Sequence, residues 1–255
     1  MEKLCSTQKY NGLNPVNNFK AFAKLIVTKL PFAITRNEQI DRATERVIKK
    51  VLAPNGLGID VGAHTGKITQ MMVAASPQQH LAFEPIPELY TALQKKFQQK
   101  IRLYNYALSY EIGNSNFNLV TTNKAYSGLL KRPYDKLESD TTITVNTTTL
   151  DAIIAPQQRI HLIKMDVEGA EYWVLKGAQQ TIAQHKPILL FEFGNKGAST
   201  YNITPEKMYS FLQNDLKYNI FTLQGWLNHQ PPISFSMLEN YFNTDTCYFY
   251  LAAPI

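Results

Sequence analysis

The amino-acid sequence predicts an α/β domain in which a parallel β-sheet carries helices on both faces. Apolar runs of strand length alternate with helical patterns along most of the chain, as expected for βαβ units. The first run, Leu57–Val61, contains an acid near its end and leads through the small-residue turn Gly62–Gly66 into a helix. A chain of 255 residues, 44% of them hydrophobic, is long enough to build one such domain with a large core.

The chain before residue 53 predicts an N-terminal segment, 1–52, that packs on a domain formed by 53–255. Residues 1 to about 15 are polar and are expected to form a poorly ordered arm. Phe19–Leu30 carries apolar residues at helical spacing with lysines between them, and a second helix is predicted for about Asn37–Leu52. A basic amphipathic helix can lie on a membrane surface, but packing on its own domain is the favoured interpretation here.

Residues 53–255 contain the alternating part of the chain. Its first half predicts strands at Leu57–Val61, His80–Glu84 and Ile101–Tyr104, and helices at Lys67–Ala75 and Pro87–Gln99. The alternation breaks at about 109–147, where the runs FNLV, SGLL and TITVN predict a β-rich insertion of short strands. The second half predicts strands at Ile160–Met165, Pro187–Phe193, Tyr218–Leu223 and Thr246–Ala252. It also predicts one helix at Gly169–Ala183 and a helix start at Thr204-Pro205. A long irregular loop is expected around Trp226.

Composition and charge narrow the function classes. The net charge is +6; this excess is spread thinly, and its clusters are only local pairs such as Lys131-Arg132. We interpret these pairs as solvated surface rather than a nucleic-acid footprint, although an anionic glycan or a lipid-linked substrate would suit the charge equally well. Cys5 and Cys247 lie far apart and outside any motif, which fits a reducing cytoplasm. With no signal-peptide core and no apolar run of about 20 residues, the sequence predicts a soluble cytoplasmic protein without a transmembrane segment.

The turn from Asp60 to Gly66 is the first candidate site. The missing side chains of Gly62 and Gly66 would let a cofactor approach the backbone, and Asp60 can accept hydrogen bonds from an ammonium group or from loop amides. A dinucleotide site would need G-x-G-x-x-G here, and that pattern is absent, with His64 at a position where a further glycine is common. The turn therefore suits a cofactor that presents an amino-acid end to the loop residues, including Ala63 and His64.

Glu84 adds a second feature of the cofactor. It ends the second predicted strand, 22 residues after Gly62, and precedes Pro85. An acid about 20 residues beyond such a turn binds ribose hydroxyls with both oxygens. The alternative is that Glu84 is a generic carboxylate at a strand end, but the position of Glu84 favours the binding of ribose.

A second set of acids follows the strand after the insertion. Asp166 and Glu168 come directly after Ile160–Met165, and Glu192 ends the apolar run PILLFEF. The carboxyl ends of parallel strands border the ligand crevice of an open α/β sheet, so these side chains are expected to face it. Burial would raise the pKa of Glu192 toward that of a general base. Glu171, in a first helical turn, is equally well explained by the helix dipole.

The three carboxylates are also a possible magnesium site, because Mg²⁺ prefers oxygen ligands. No histidine accompanies them in the sequence, and we predict no metal site. His161, inside an apolar strand, is interpreted as a core histidine rather than a ligand or base.

Four segments together resemble the FkbM family of methyltransferases that depend on S-adenosylmethionine (SAM). They are IDVGAHTG, FEP, the run NYAL at 105–108, and KMDVEGAEYWVLKGA. The resemblance covers about 56–193 and implies SAM as the cofactor. It also implies a Rossmann-like class I methyltransferase fold, a seven-stranded sheet of six parallel strands and a final antiparallel one at Thr246–Ala252.

The motif match implies roles for individual residues. The residues Asp60, Gly62 and Gly66 would line the methionine end of SAM, Glu84 the ribose, and Asn105 to Ala107 the adenine. The family's acidic motif corresponds to Lys164, Asp166, Glu168 and Glu171. This chain has His64 where the family often has Asn, which would change contacts around the carboxylate of SAM.

The resemblance further implies O-methylation of a hydroxyl on a sugar, an oligosaccharide or a polyketide-like product. The protein must then align the acceptor oxygen and remove its proton. Asp166 or Glu168 is the candidate base, with Glu192 in reserve, and Asp166 also borders the cofactor. Residues 126–129 of the insertion are expected to form a lid or an acceptor wall.

Several alternatives stay open on the sequence alone. Amino-group methylation of nucleic-acid bases normally uses an Asn/Asp-Pro-Pro-aromatic motif, whereas Val167-Glu168 follow Asp166 here, and neither cysteine follows a proline as a cytosine-carbon enzyme would need. No nucleic-acid partner is therefore expected. Methylation of a protein, a non-catalytic SAM-binding protein and a nicotinamide enzyme are the remaining alternatives.

Overall fold

The computed structural model describes residues 35–155 and 158–255. The predicted arm at 1–15 and the predicted helix Phe19–Leu30 lie outside these ranges. Two compact units are distinguished, Met1–Arg42 and Ala43–Ile255, and their boundary falls inside helix α1 (Arg36–Leu52). The larger unit contains the strands and the candidate site described below.

The elements of the larger unit follow the predicted alternation. The strands are β1 (Gly58–Val61), β2 (His80–Phe83), β3 (Ile101–Tyr104), β4 (Ala107–Leu108), β5 (Gly113–Val120), β6 (Asp140–Thr148), β7 (Leu162–Met165), β8 (Ile188–Glu192), β9 (Tyr218–Thr222) and β10 (Phe249–Pro254). The helices after α1 are α2 (Lys67–Ala75), α3 (Pro87–Phe97), α4 (Leu150–Ile153), α5 (Glu171–Lys176), α6 (Gln179–His185), α7 (Asn195–Thr200), α8 (Pro205–Ser210), α9 (Leu223–Leu227) and α10 (Phe235–Thr244). One 3-10 turn, Gln98–Lys100, extends α3, and one π-helical turn, Phe211–Asp215, extends α8.

A seven-stranded sheet with the order β3-β2-β1-β7-β8-β10-β9 forms the centre of this unit. Strand β10 is antiparallel to both β8 and β9, and the other neighbours run parallel. The predicted fold class, six strands in one direction and a reversed last strand, is therefore confirmed. The sheet is covered on both faces, because successive residues of β2 belong to different apolar clusters. Ala82 packs with Leu93 and Phe97 of α3, whereas Leu81 and Phe83 belong to a separate, larger cluster.

A second, three-stranded sheet stands where the β-rich insertion was predicted. Its order is β4-β6-β5, with β5 and β6 antiparallel over their whole length. Ala107, Phe117 and Val145 of this sheet pack with Ile86, the residue before α3. The strand predicted for SGLL is wrong, because Gly128 makes only an isolated bridge to Asn118. The segment between β5 and β6 is consequently a long loop tied to the sheet at one point.

The single helix predicted at Gly169–Ala183 is also wrong. The chain forms two helices, α5 and α6, with a break at Gly177-Ala178. The carboxylate of Asp151, from α4, accepts hydrogen bonds from the backbone N–H groups of Gln180 (3.0 Å) and Thr181 (2.8 Å). A residue distant in sequence therefore caps the first turn of α6, where free N–H groups need acceptors.

The irregular loop predicted around Trp226 contains two helices instead. Thr222 and Ser234 begin α9 and α10, and each side-chain oxygen accepts a hydrogen bond from a backbone N–H of the first turn. The predicted helix start at Thr204-Pro205 is confirmed, since the Thr204 hydroxyl accepts from the N–H of Lys207 at 3.2 Å. In residues 35–155 and 158–255, no helix combines the length and the apolar character that crossing a membrane requires.

The capping role of Asp151 predicts a stability difference between two variants. Asp151→Ala removes both acceptors and should lower the free energy of unfolding by about 1–2 kcal/mol. Asp151→Asn keeps one side-chain oxygen and should cost clearly less. Urea unfolding followed by circular dichroism measures both values, and an equal cost for the two variants would contradict the capping account.

Candidate functional site

A pocket opens at the carboxyl ends of β1, β2 and β7, where the sequence predicts the ligand crevice. Of the predicted site residues, its lining includes Gly62, His64, Glu84, Ala107, Asp166 and Glu168. The other five, Asp60, Ala63, Gly66, Asn105 and Glu192, belong to the described part of the chain but not to this lining. The structure thus brings the two predicted acidic groups, one after β2 and one after β7, to a single pocket.

A buried lysine lies behind the pocket. The register of the sheet pairs Asp60 on β1 with Lys164 on β7. The Nζ atom of Lys164 lies 3.6 Å from Asp60 Oδ1 and 3.4 Å from Asp166 Oδ2, and the Lys164 side chain is 4% exposed. Burial alone would lower the pKa of Lys164, but the carboxylates of Asp166 and Asp60 raise it. The ammonium group that faces Asp60 is therefore that of Lys164, and Asp60 lies behind the pocket without lining it.

Asp166 and Glu192 form a carboxyl pair with different protonation. Burial and the neighbouring charge of Asp166 raise the pKa of Glu192 well above its ordinary value. Burial would also raise the pKa of Asp166, but Lys164 and a hydrogen bond with Glu192 lower it. Glu192 is therefore the protonated partner that donates, and Asp166 is the ionised acceptor, as expected when two carboxyl groups lie close together.

Glu168 occupies the pocket wall in an unusual backbone conformation. Its φ angle is +58°, in the left-handed region that non-glycine residues seldom adopt. Arg132 Nε lies 2.9 Å from Glu168 Oε2, although the N–H does not point at the oxygen and, among the described residues, Oε2 has no hydrogen-bond partner. Burial, together with the charge of Asp166, raises the pKa of Glu168 to about 8, and Arg132 opposes this rise.

Glu84 and His64 form the opposite side of the pocket. Glu84 Oε2 accepts a hydrogen bond from the N–H of His64 (2.7 Å) and Oε1 accepts one from the N–H of Ile86 (2.9 Å). Burial raises the pKa of Glu84 to about 7, against these two hydrogen bonds. His64 has a φ of +50°, and burial lowers its pKa. The Asn105 amide donates to the carbonyl oxygens of Glu84 (2.8 Å) and Pro85 (3.0 Å), so it fixes the turn instead of lining the pocket.

The glycines of the turn are required by packing as well as by access. Gly62 has a φ of +79°, and a Cβ there would lie 2.1 Å from the carbonyl oxygen of Asp166. Gly66 has a φ of +77°, and its Cβ would lie 2.5 Å from the ring of Phe97 and 2.6 Å from Leu93. Gly62 therefore keeps β1 and β7 close at the pocket, whereas Gly66 seats the turn on α3.

The insertion supplies the outer wall. Phe117, Lys124, Ser127, Gly128 and Leu129 all line the pocket. The side chain of Tyr126, which the sequence analysis grouped with this wall, instead stacks on Tyr134 with ring centroids 6.3 Å apart.

Sequence reasoning missed several residues of the site. Arg132 was assigned to a solvated basic pair, but its side chain is only 12% exposed. No spacing or motif signals this residue, because its partner Glu168 lies 36 positions further along the chain. Glu171 is buried and accepts a hydrogen bond from the N–H of Val167 at 2.8 Å, so it shapes the 166–170 turn. His161, predicted as a core histidine, is only partly buried, and its Nδ1 accepts from the N–H of Leu57 at 3.0 Å.

The acids also have the spacing of a possible cation site. One oxygen each of Asp166, Glu168 and Glu192 lie within 4.8 Å of one another. Two cations of the chain already lie against this group, Lys164 at Asp166 and Arg132 at Glu168. Together with the proton shared by Asp166 and Glu192, these side chains balance the charge of the cluster.

Comparisons with known proteins were made for sequence and for structure. The family model described as the methyltransferase FkbM domain matches residues 60–220, more than half of the chain. A search of curated proteins gave no match.

Among solved structures, the chain is similar to the methyltransferase FkbM from Methylobacillus flagellatus, with 17% identity over 93% of this chain and 59% of that chain and a TM-score of 0.49. It is also similar to a TehB-like SAM-dependent methyltransferase from Corynebacterium glutamicum (11% identity, 94% of this chain, 97% of that chain, TM-score 0.43). A third is SMU.1697c from Streptococcus mutans in complex with SAH (10% identity, 87% of this chain, 99% of that chain, TM-score 0.47). The chain thus spans less than two thirds of the M. flagellatus protein, and family assignment rests on residues 60–220.

The position of Lys164 predicts a large, pH-dependent loss of stability on its removal. Lys164→Met leaves the carboxylate of Asp60 buried without its cation and should lower the free energy of unfolding by about 3 kcal/mol or more at pH 7.5. In the wild type, the lowered pKa of Asp166 gives stability above about pH 4 that is lost below it. In the variant the pKa of Asp166 rises above its unfolded value, so the variant gains stability as the pH falls.

Urea unfolding at pH 5 and pH 7.5 measures this difference. The cost of Lys164→Met should be smaller at pH 5. The exposed residue Lys95 provides the control variant Lys95→Met. A loss in the free energy of unfolding that is the same at both pH values, or no larger than that of the control, would contradict the proposed charge balance.

Proposed function

Since this chain belongs to the FkbM methyltransferase family, whose methyl donor is SAM, we propose that it transfers a methyl group to a hydroxyl oxygen of a sugar, an oligosaccharide or a polyketide-like small molecule. One observation carries the proposal. Glu84, after β2, and the acids Asp166 and Glu168, after β7, line one pocket, and Glu192 at the end of β8 lies against the second pair. The first group suits a cofactor ribose and the second suits a reacting hydroxyl.

The residues present fit SAM. Glu84 would hold the ribose hydroxyls, because each of its oxygens accepts only one backbone N–H and keeps a free lone pair. Ile86, Ala107 and Phe117 would form an apolar wall for the adenine. Gly62 and His64 would face the methionine end. When bound, SAM supplies a methyl group that is already activated by its sulfonium charge.

The acids then divide the remaining work. Glu192 is the protonated member of its pair and is therefore not a base. Asp166 is ionised but stabilised by Lys164, so it suits holding the acceptor hydroxyl better than removing its proton. Glu168, with a pKa of about 8 and an Oε2 atom that lacks a hydrogen-bond partner among the described residues, is the better base. The acceptor hydroxyl would donate to this oxygen and leave its proton there.

Glu84 predicts a pH-dependent affinity for SAM. Ribose hydroxyls donate to the ionised carboxylate, and this group has a pKa of about 7. Affinity should therefore rise roughly tenfold from pH 6 to pH 8, as the ionised fraction of one such carboxylate does. Isothermal titration calorimetry measures the dissociation constants.

The matched control is Glu84→Gln, which cannot ionise at this position. At pH 8 the affinity of this variant for SAM should be lower than that of the wild type. Its affinity should also lack the tenfold rise between pH 6 and pH 8. An identical pH dependence in the wild type and in Glu84→Gln would exclude Glu84 as the ribose ligand. Titration with NAD(H) in parallel separates the remaining nicotinamide alternative.

Methyl transfer itself is tested with isotopically labelled SAM. The protein should label a compound in a glycan or small-molecule extract, and mass spectrometry should locate the methyl group on an oxygen. Glu168→Gln and Asp166→Asn should each lower turnover by roughly 10²–10⁴-fold while SAM affinity stays nearly constant.

Three outcomes would count against the proposal. Labelling of bulk RNA, DNA or protein alone would exclude a small-molecule or glycan hydroxyl. SAM binding without labelling of any extract would favour a non-catalytic SAM-binding protein. Unchanged turnover in Asp166→Asn or Glu168→Gln would remove that residue from the mechanism.

A further inference from the structure

The loop between β5 and β6, residues 121–139, is a folded unit with a closed base. We call it the insertion loop. At its base, the N–H of Thr121 donates to the carbonyl of Ser139 (2.8 Å), and the N–H of Ser139 donates to the Thr122 hydroxyl (3.1 Å). Inside it, the guanidinium of Arg132 lies 4.5 Å from the ring centroid of Tyr126, which stacks in turn on Tyr134. This stack gives the Arg132 side chain a defined direction.

Polar contacts with Tyr201, α7 and α3 hold the insertion loop on the rest of the domain. The N–H of Leu130 donates to the hydroxyl of Tyr201 at 3.0 Å. Asp135 forms an ion pair with Lys196 on α7. Lys124, in the pocket lining, lies 2.7 Å from Glu88 on α3. The loop is therefore attached at both sides of the pocket it covers.

Arg132 is the residue of this loop that reaches the acids. Its Nε atom lies 2.9 Å from Glu168 Oε2, and the two side chains are 12% and 14% exposed. A guanidinium or a carboxylate so poorly hydrated costs much free energy unless it is paired. Each of these two charges is thus the counter-charge that the other needs.

The surroundings of Glu168 make this counter-charge decisive. The charged groups that act on it are Asp166 and Lys164 from the β7 end, Glu171 from α5, Glu192 from the end of β8, and Arg132 from the insertion loop, with the Tyr201 hydroxyl nearby. Three of these groups are carboxyls. Lys164 is nearer to Asp166, so Arg132 is the cation in direct contact with Glu168.

We propose that Arg132 is a positioning residue for the methyl transfer, which favours the ionised form of the Glu168 carboxylate and holds this side chain in place as long as the insertion loop covers the pocket. The inference rests on the proposed function, in which Glu168 is the base. Ser127, Gly128 and Leu129 of the same loop line the pocket. The acceptor wall and a competent base are therefore completed together, by one segment of chain. An acceptor that prevents the loop from closing would meet a Glu168 that ionises less readily and would be methylated more slowly.

The pH dependence of kcat/KM tests this role. In the wild type its rising limb should follow the ionisation of Glu168. Arg132→Met removes the cation and should move that limb upward by roughly one to three pH units, the effect of a close opposite charge. Arg132→Lys should restore part of the shift. SAM affinity should change less than twofold in all variants.

The neighbouring residue provides a control for general charge effects. Lys131 is 62% exposed, pairs with Asp140, and carries the same charge on the same loop. Lys131→Met should leave the rising limb in place. An equal shift for Lys131→Met and Arg132→Met would show that net charge, not the contact with Glu168, is responsible, and would overturn the proposal.

A measurement without turnover separates this inference from the proposed function. Carbon-13 NMR of glutamate carboxyl groups, with Glu168→Gln to assign the signal, gives the pKa of Glu168 directly. A higher pKa in Arg132→Met with no methyl transfer by the wild type would refute the function and keep the pairing. Methyl transfer with the same Glu168 pKa in both proteins would refute the pairing and keep the function.

Loss of folding in Arg132→Met would not end the test. The double variant Glu168→Gln/Arg132→Met lacks both charges and should unfold less readily than Arg132→Met alone. In the folded variant Arg132→Lys, the shorter side chain and its single point charge should still shift the limb measurably. No shift in Arg132→Lys and no coupling in the double variant would overturn the proposal.

Discussion

The salt bridge of Lys164 with Asp60 and Asp166 is the constraint on which the site depends. It forms because the register of β1 and β7 places Asp60 beside Lys164, at the point where both strands end. Burying Lys164 and Asp60 is costly, and the cost is offset only while both charges are present. With this cation fixed below the pocket, Asp166 stays ionised, and Glu192 takes the proton that the two acids cannot both lose. The ionisation of Asp166 and Glu192 therefore depends on a contact between two strands of the sheet beneath the pocket.

Backbone geometry at the pocket mouth follows the same logic. Both His64 and Glu168 have positive φ angles, and both line the pocket from the turns after β1 and β7. Such conformations cost on the order of 1 kcal/mol or more for a non-glycine residue and persist where the surroundings impose them. Here Glu84 holds the N–H of His64, and Glu171 holds the N–H of Val167 next to Glu168. Glu84 and Glu171, two buried glutamates to which no step of the reaction is assigned, thus hold two strained turns in place.

Much of the fold and part of the site could be predicted from the sequence, because their signals are local. Strand-length apolar runs and helical spacing predicted the strands of the main sheet, and strand ends predicted the position of Glu84, Asp166 and Glu168. Contacts between distant segments carry no such signal. The break in the helix at Gly177 depends on Asp151, and Arg132 became a site residue only through a contact with a turn on another strand. Gly66 was predicted correctly as a special position but for a different reason, since the ring of Phe97 occupies the space of its missing side chain.

The position of β10 has a consequence for how the molecule is built. This strand comes last among the described strands, yet it lies between β8 and β9 and pairs with both. Until it is in place, β8 has no partner on that edge and β9 has no partner in the sheet, and open apolar edges favour pairing between molecules. A chain interrupted before Phe249 would therefore lack the strand that pairs with Glu192 and would be prone to aggregate.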